Sequence, residues 1–367
     1  METAVTSALD PLRSDVAVDP NAIEKNLAEL WRASKEVADE ALTRAALWNV
    51  VAHTCSQATH TQASEVLGRA SATVPQRTIV VRSEPAAPPQ IESWIGANCH
   101  LVGGGKQVCS EEIAIVAGGD RIHRVPPLVN ALLIPDMPVA VWWVGDLPNE
   151  HEEYVLALLE PADRLIVDSV NFDSPADLML VDRVSAKTTT TPADLNWVRL
   201  EEWRQATASI FDPPDMRSRL ETIRRVRVVA GTSGSDYFGE SVEALLYSAW
   251  MSAQLGHHVD AQAKVEGPRG VIDYVIERRR QEKSVGDIAF VEIRFDDGSC
   301  ASISRDREKG VLVSTVDGVV SMPDAVTRAI AANLDELIVR QLKRARGDQV
   351  LLKVLPVASR LARRVAG

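Results

Sequence analysis

Short, continuous apolar runs alternate with amphipathic stretches through the first 210 residues. Residues 45–54 (AALWNVVAHT), 77–83 (RTIVVRS), 138–144 (PVAVWWV) and 164–169 (RLIVDS) read as strands. PVAVWWV has no polar alternation, which is the pattern of a strand buried on both faces of a parallel sheet. Between these runs the spacing predicts helices. Ile23, Leu27, Leu30, Trp31, Val37, Ala38 and Ala41 form one stripe, with Asp19 as N-cap and Pro20 in the first turn. Shorter helices are expected over Ser64–Ala70, Tyr154–Leu159 and Asp177–Val184, and Pro126–Pro127 can open another carrying Leu128, Val129, Leu132 and Leu133. WIGANCHLV (94–102) and VCSEEIAIVA (108–117) flank three glycines and predict a hairpin.

The pattern changes after FDPPDMRS (211–218). RRVRVVAG (224–231) is a strand, and a long helix follows over Tyr237–Leu255, capped by Ser235 or Asp236 and stopped by Gly256. Strands then predominate: HVDAQAKVE, GVIDYVIERR, DIAFVEIRF, SCASISRD and GVLVSTV, with Asp297–Gly298 as a hairpin turn. A helix is expected near Asp324–Arg344. The fold class is therefore α/β. An N-terminal three-layer domain with a mostly parallel, mixed sheet precedes a smaller α+β domain with an antiparallel sheet. The expected divisions are a flexible tail at 1–19, the α/β domain at 20–210, the α+β domain at 211–345 and a basic tail or helix at 346–367.

The 367 residues suit about two domains, and 46% apolar with 25% charged residues is the balance of a globular chain. A net charge of −11 argues against nucleic acid or an anionic membrane surface as partner. That charge is unevenly spread. Residues 340–367 hold eight basic residues, among them Arg344 and Arg346, against Asp348 alone, so this segment is +7 and the rest −18. Such a tail is either a solvated face or a docking element for an acidic partner. No run is long and apolar enough to span a bilayer, and the N-terminus lacks the basic and apolar regions of a signal peptide. A cytoplasmic location is expected.

Catalytic signatures are missing. Gly103–Gly104–Gly105 lacks the Lys-Ser/Thr of a phosphate loop and is followed by strand, and there is no GxSxG, HExxH or GxGxxG after a strand. The four cysteines include no CxxC pair, and the seven histidines are scattered, so no metal or cofactor is expected. Cys99 and Cys109 can face each other across the hairpin as a redox pair. The reading that a reducing cytosol favours over this one is two small buried strand residues. One group of residues suggests a ligand crevice at the carboxyl ends of strands: Arg82, Ser83, Asp146, Asp168 and Ser169. The carboxylates and hydroxyls there suit sugar or amide groups, and Arg82 suits a phosphate. Alternatively the Asp and Ser residues only cap the helices that follow. Trp142 and Trp143 fill space between sheet and helices, or expose one ring at an interface.

RTIVV, VCSEEIAIVAGG, PLVNALLIPDMPVAVWWVGD, ADRLIVDS and ALLYSAWMSAQLG occur in the order in which similar motifs occur in the glucose-6-phosphate dehydrogenase assembly proteins, the OpcA family. The chain resembles that family over about residues 45–255, with Met137 where leucine is usual. The resemblance implies a non-enzymic partner of glucose-6-phosphate dehydrogenase that promotes its active oligomer in the oxidative pentose phosphate pathway and so supports NADPH supply. In cyanobacteria the family is linked to thioredoxin-dependent control through cysteines, and this chain has none after Cys300. Candidate partner contacts are Trp31 on the first helix, Trp142, Trp143, Arg344 and Arg346. The competing expectation is a sugar-phosphate or nucleotide-binding α/β protein, as a binding protein or an enzyme, using the strand-end crevice.

Overall fold

The computed structural model describes residues 16–37, 42–102, 106–145, 147, 152–172, 174, 177–232, 241–280, 287–318, 324–329 and 332–363. The chain forms two compact units. The first comprises Met1–Val167, Thr188–Thr191 and Asn333–Gly347, the second Asp168–Lys187, Pro192–Ala332 and Asp348–Gly367.

In the first unit the strands are β1 (Val16–Val18), β2 (Leu42–Arg44), β3 (Trp48–Thr54), β4 (Gln76–Glu84), β5 (Gln90–Val102), β6 (Lys106–Gly118), β7 (Val139–Trp143) and β8 (Arg164–Val167). They pair in the order β1-β5-β6-β4-β3-β7-β8, with β2 beside β6. The neighbours β4–β6, β3–β4, β3–β7 and β7–β8 are parallel, whereas β1–β5 and β5–β6 are antiparallel. This is the mostly parallel, mixed sheet expected. Every residue of β7 is buried, so both of its faces are covered.

The helices of this unit are α1 (Ile23–Val37), α2 (Gln57–Ala70), α3 (Val125–Leu132) and α4 (Glu152–Leu159), with α10 (Leu334–Lys343) returning to it late in the chain. Asp19 accepts from the Asn21 N–H and Pro20 opens a 3-10 turn that leads into α1. Ile23, Leu27 and Trp31 on α1 are buried within the unit, so the stripe is satisfied by its own domain. Ala38 and Ala41, also assigned to the stripe, lie outside the described residues. Beneath α1 lies a buried ion cluster. Glu111 on β6 accepts from the Trp31 indole and pairs with Arg77 on β4 at 2.7 Å and Arg44 at 2.8 Å. Arg77 also donates to the Leu132 carbonyl and pairs with Glu24.

The β5–β6 register sets Cys99 opposite Cys109, and a disulfide joins them. Two separate small strand residues were the reading favoured for a reducing cytosol. Register overrides it by bringing the sulfurs within bonding reach. The glycine turn at 103–105 lies outside the described residues.

The second unit contains α5 (Asp177–Lys187), most of β9 (Thr191–Asp194), α6 (Leu195–Arg199), α7 (Glu201–Ile210), α8 (Pro214–Arg217), β10 (Ile223–Thr232), α9 (Val242–Gln254), β11 (His258–Val259), β12 (Val265–Gly267), β13 (Gly270–Arg280), β14 (Ile288–Phe295), β15 (Cys300–Asp306), β16 (Val311–Asp317), β17 (Ala325–Arg328) and α11 (Gln349–Arg363). Its sheet runs β11-β12-β13-β10-β14-β15-β16-β17 and is antiparallel except at β10–β13. Helix α9 starts at the Ser241 cap and ends before Gly256, whose φ of 66° is the left-handed stop expected. The proposed caps Ser235 and Asp236 fall outside the described residues.

Two expectations change. Residues 16–18, assigned to the tail, form β1 because β5 offers them an edge. Residues 325–328, assigned to a helix, form β17 because β16 pairs with them, and the helix begins only at Leu334. The basic C-terminal segment contains an amphipathic helix, α11, that packs on α9 and α5. Its Leu351, Val354, Leu355 and Ala358 are buried.

Candidate functional site

The sequence places β3, β4 and β7 side by side, and their carboxyl ends deliver His53, Ser83 and Trp143 to one place. His53 lies flat on Trp143, with ring centroids 3.9 Å apart, and meets the edge of Tyr154 from α4. Its Nε2 shares a hydrogen bond with the Ser83 hydroxyl at 3.0 Å, and that hydroxyl lies 3.3 Å from the Tyr154 hydroxyl. The His53 Nδ1 has no partner among the described residues. Burial holds the imidazole at a pKa of about 3, and it raises the Tyr154 phenol to about 12.

This is a serine–histidine pair without the elements of a nucleophile. The base is neutral and very weak, and among the described residues no carboxylate orients its second nitrogen. The ring's low pKa has a measurable sign. Its folded value lies below the ordinary 6.5, so its contribution to stability is present above pH 6.5 and lost as the pH falls toward 3. An NMR titration of the His53 ring is expected to show no protonation between about pH 8 and pH 5. A midpoint near the ordinary value would contradict the buried stacking described.

Arg82, beside Ser83 on β4, is mostly buried, and its Nε lies 2.9 Å from Glu84. His60, on α2, is held at a pKa of about 4 by burial and by the Arg82 charge. The positive group expected to await a phosphate is therefore already ion-paired.

Asp168 and Ser169 belong to the second unit and have their own partners there. Arg199 grips Asp168 with two hydrogen bonds, 2.6 and 2.9 Å long. The Ser169 N–H and hydroxyl both donate to Asp194, and Asn196 donates from its backbone to Asp194 and from its side chain to Ser169. Burial nevertheless raises Asp194 to a pKa of about 6, against the pull of these donors. The Asn196 Oδ1 is buried without a partner among the described residues. Asp146, the remaining crevice residue, lies outside the described residues.

The candidate interface residues are mostly interior. Trp142 and Trp143 are 2% and 0% exposed, because a central parallel strand is covered on both faces. Trp31 is 6% exposed and donates to Glu111. No indole of the three offers a ring to a partner in this conformation. Arg344 is half-buried, with its carbonyl accepting from Arg164, whereas Arg346 is exposed. His53, Tyr154, Asp194, Asn196 and Arg199 were not singled out from the sequence. Asp194 just before LNWVR carries an N-cap signal that marks one of them, and the others have no local signature. No group of three or more His, Cys, Asp or Glu side chains suited to a metal occurs among the described residues.

Two family models match in succession. Residues 68–183 match the glucose-6-phosphate dehydrogenase subunit N-terminal domain, and residues 190–355 match the C-terminal domain of the same subunit. The chain belongs to the OpcA family of glucose-6-phosphate dehydrogenase assembly proteins. Two relatives, from Synechocystis sp. and Nostoc punctiforme, are provisionally named OxPP cycle protein OpcA. The first is 33% identical over 150 residues, 40% of this chain and 30% of the relative. The second is 29% identical over 178 residues, 47% and 36% respectively. The chain thus matches about a third of the length of these relatives.

Among solved structures, levoglucosan dehydrogenase in complex with NADH and L-sorbose has a TM-score of 0.48 at 11% identity, covering 87% of this chain and 97% of that one. The 3-ketoreductase KijD10 from Actinomadura kijaniata has 0.47 at 10%, covering 87% and 96%. Likenesses this distant say nothing of chemistry. No helix among the described residues is long and apolar enough to cross a membrane.

Proposed function

We propose that this OpcA-family chain is a non-catalytic effector that binds glucose-6-phosphate dehydrogenase in the cytoplasm and promotes its active oligomer in the oxidative pentose phosphate pathway. The observation that carries the reading is the pair of dehydrogenase-subunit models matched in order over both halves of the chain. The site geometry supports it from the other side: the serine–histidine pair lacks a competent base, and Arg82 and Asp168 are already ion-paired. The last two facts also weaken the competing proposal of a sugar-phosphate or nucleotide site at the strand ends.

To promote an active oligomer, the chain must bind that state more tightly than the inactive one, since equal affinity shifts nothing. Exposed Arg346, in the basic C-terminal segment, is a contact proposed for an acidic patch on the dehydrogenase. The deciding experiment titrates the chain into the dehydrogenase of the same organism while recording activity and molar mass by light scattering. A saturable rise in activity together with a larger complex is expected. Unchanged mass and unchanged activity would refute the proposal.

A further inference from the structure

The second sheet has one face that carries the core and one that does not. Val228, Val291, Ile303 and Leu312 point to the covered side, where α7 and α9 pack. The other face shows exposed side chains on six successive strands: Asp273 on β13, Arg225 on β10, Arg294 on β14, Ser304 on β15, Asp317 on β16 and Val326 on β17. Strand register assembles a lane across it. Val229, Phe290, Ser304, Val313 and Val326 stand side by side on five neighbouring strands. Phe290 and Val313 are only half-buried, and Val326 is 64% exposed.

The charges on this face cancel within its own plane. Arg225 pairs with Asp273 at 3.1 Å, Arg227 with Glu277 at 2.8 Å and Arg294 with Glu292 at 2.7 Å. Arg227 also lies over the Phe290 ring. A chain of net charge −11 repels its own copies, and repulsion is least where acid and base are matched. The face is also large enough. Six strands about 4.8 Å apart, each giving about six residues at about 3.3 Å, span roughly 29 by 20 Å, near 600 Å². Two such faces would bury about 1,200 Å², above the roughly 1,000 Å² expected of a specific interface.

We propose that two copies of this chain pair through the open face of the second sheet, about a twofold axis. The twofold brings the same lane from both copies together, so Phe290, Val313 and Val326 lose their remaining water beside the already buried Val229, while the ion pairs form a rim. The hydroxyls of Ser302, Ser304 and Thr315 supply donors and acceptors between them. This pairing is a property of the chain alone and is independent of any dehydrogenase.

The test is sedimentation velocity and light scattering of the full chain at roughly 1 to 100 μM, without other proteins. Twice the chain mass is expected. The double variant Ser304→Arg, Val326→Glu alters two exposed positions and is expected to weaken the dimer by about tenfold or more, with the circular dichroism spectrum unchanged. Glu65→Arg, on exposed α2 in the first unit, is expected to leave the dimer intact. A wild-type monomer throughout the range overturns the proposal, including one whose face is filled only by the dehydrogenase. A dimer indifferent to the face substitutions overturns it too.

Discussion

Glu111→Ala is expected to destabilise the first unit by about 3–5 kcal/mol, the usual cost of removing one partner from a buried ion pair. Glu111 and Arg77 are each 3% exposed, so neither charge can turn to water when the other is lost. Burial opposes the Arg77 charge, and the carboxylates of Glu111 and Glu24 outweigh it and raise its pKa. Without Glu111, Arg77 keeps among the described residues Glu24, whose side chain is 54% exposed, and the Leu132 carbonyl. The Trp31 indole N–H loses its acceptor at the same time. The cluster ties β4, β6 and α1 together, so its loss loosens three elements at once.

Urea unfolding followed by tryptophan fluorescence measures this effect. Replacing both partners, as Glu111→Ala with Arg77→Leu, is expected to cost less than the sum of the single changes, because no uncompensated buried charge remains. A loss below about 1 kcal/mol for Glu111→Ala would place the pair in water, with the worth of a surface ion pair.

Glu243→Gln is expected to do the opposite, stabilising the second unit at pH 8. Glu243 stands in the first turn of α9, 5% exposed, with its carboxylate accepting from the Ile288 N–H. Burial and the neighbouring Asp287 raise its pKa from 4.5 to about 7, against the pull of Arg305 and Arg199. The folded value lies above the unfolded one, so its contribution is fully present below pH 4.5 and is lost as the pH rises toward 7. At about 1.4 kcal/mol per pKa unit, the loss is on the order of 3 kcal/mol.

Gln keeps the acceptor for Ile288 without the titration. The variant should therefore lose less stability than wild type between about pH 5 and pH 8, as read from urea midpoints of the second unit. Equal losses would show that the carboxylate is ionised and solvated. Asp194, raised to about 6, adds a contribution of the same sign, whereas His53 in the first unit works in the reverse direction.

Much of the architecture was legible in local pattern. PVAVWWV reads as a doubly buried strand because both faces of a central parallel strand are covered, and β7 has no exposed residue. Asp297–Gly298 reads as a hairpin turn because the turn needs positive φ, and Gly298 has a φ of 86°. The edges were less legible. β1 and β17 are three and four residues long, too short for periodicity to register, and each is a strand only because β5 or β16 presents unpaired backbone groups. Among the expected crevice residues, Arg82, Ser83, Asp168 and Ser169 do sit at strand ends. What they bond to was not readable, since Ser83 meets His53 across 30 residues and Ser169 meets Asp194 across 25.

The sequence by itself determined which stretches are buried, that an α/β pattern is followed by an antiparallel sheet, and the family to which the chain belongs. Those properties are written in neighbouring residues, as periodicity, turn chemistry and motif order. Only the tertiary structure decided that the tryptophans are interior, that Glu111 and Arg77 neutralise each other, that Cys99 meets Cys109, and that one sheet face stays open. Each of these depends on which distant strand lies alongside and in what register. A side chain's partner is set by that register, and a shift of one residue would turn it to the opposite face.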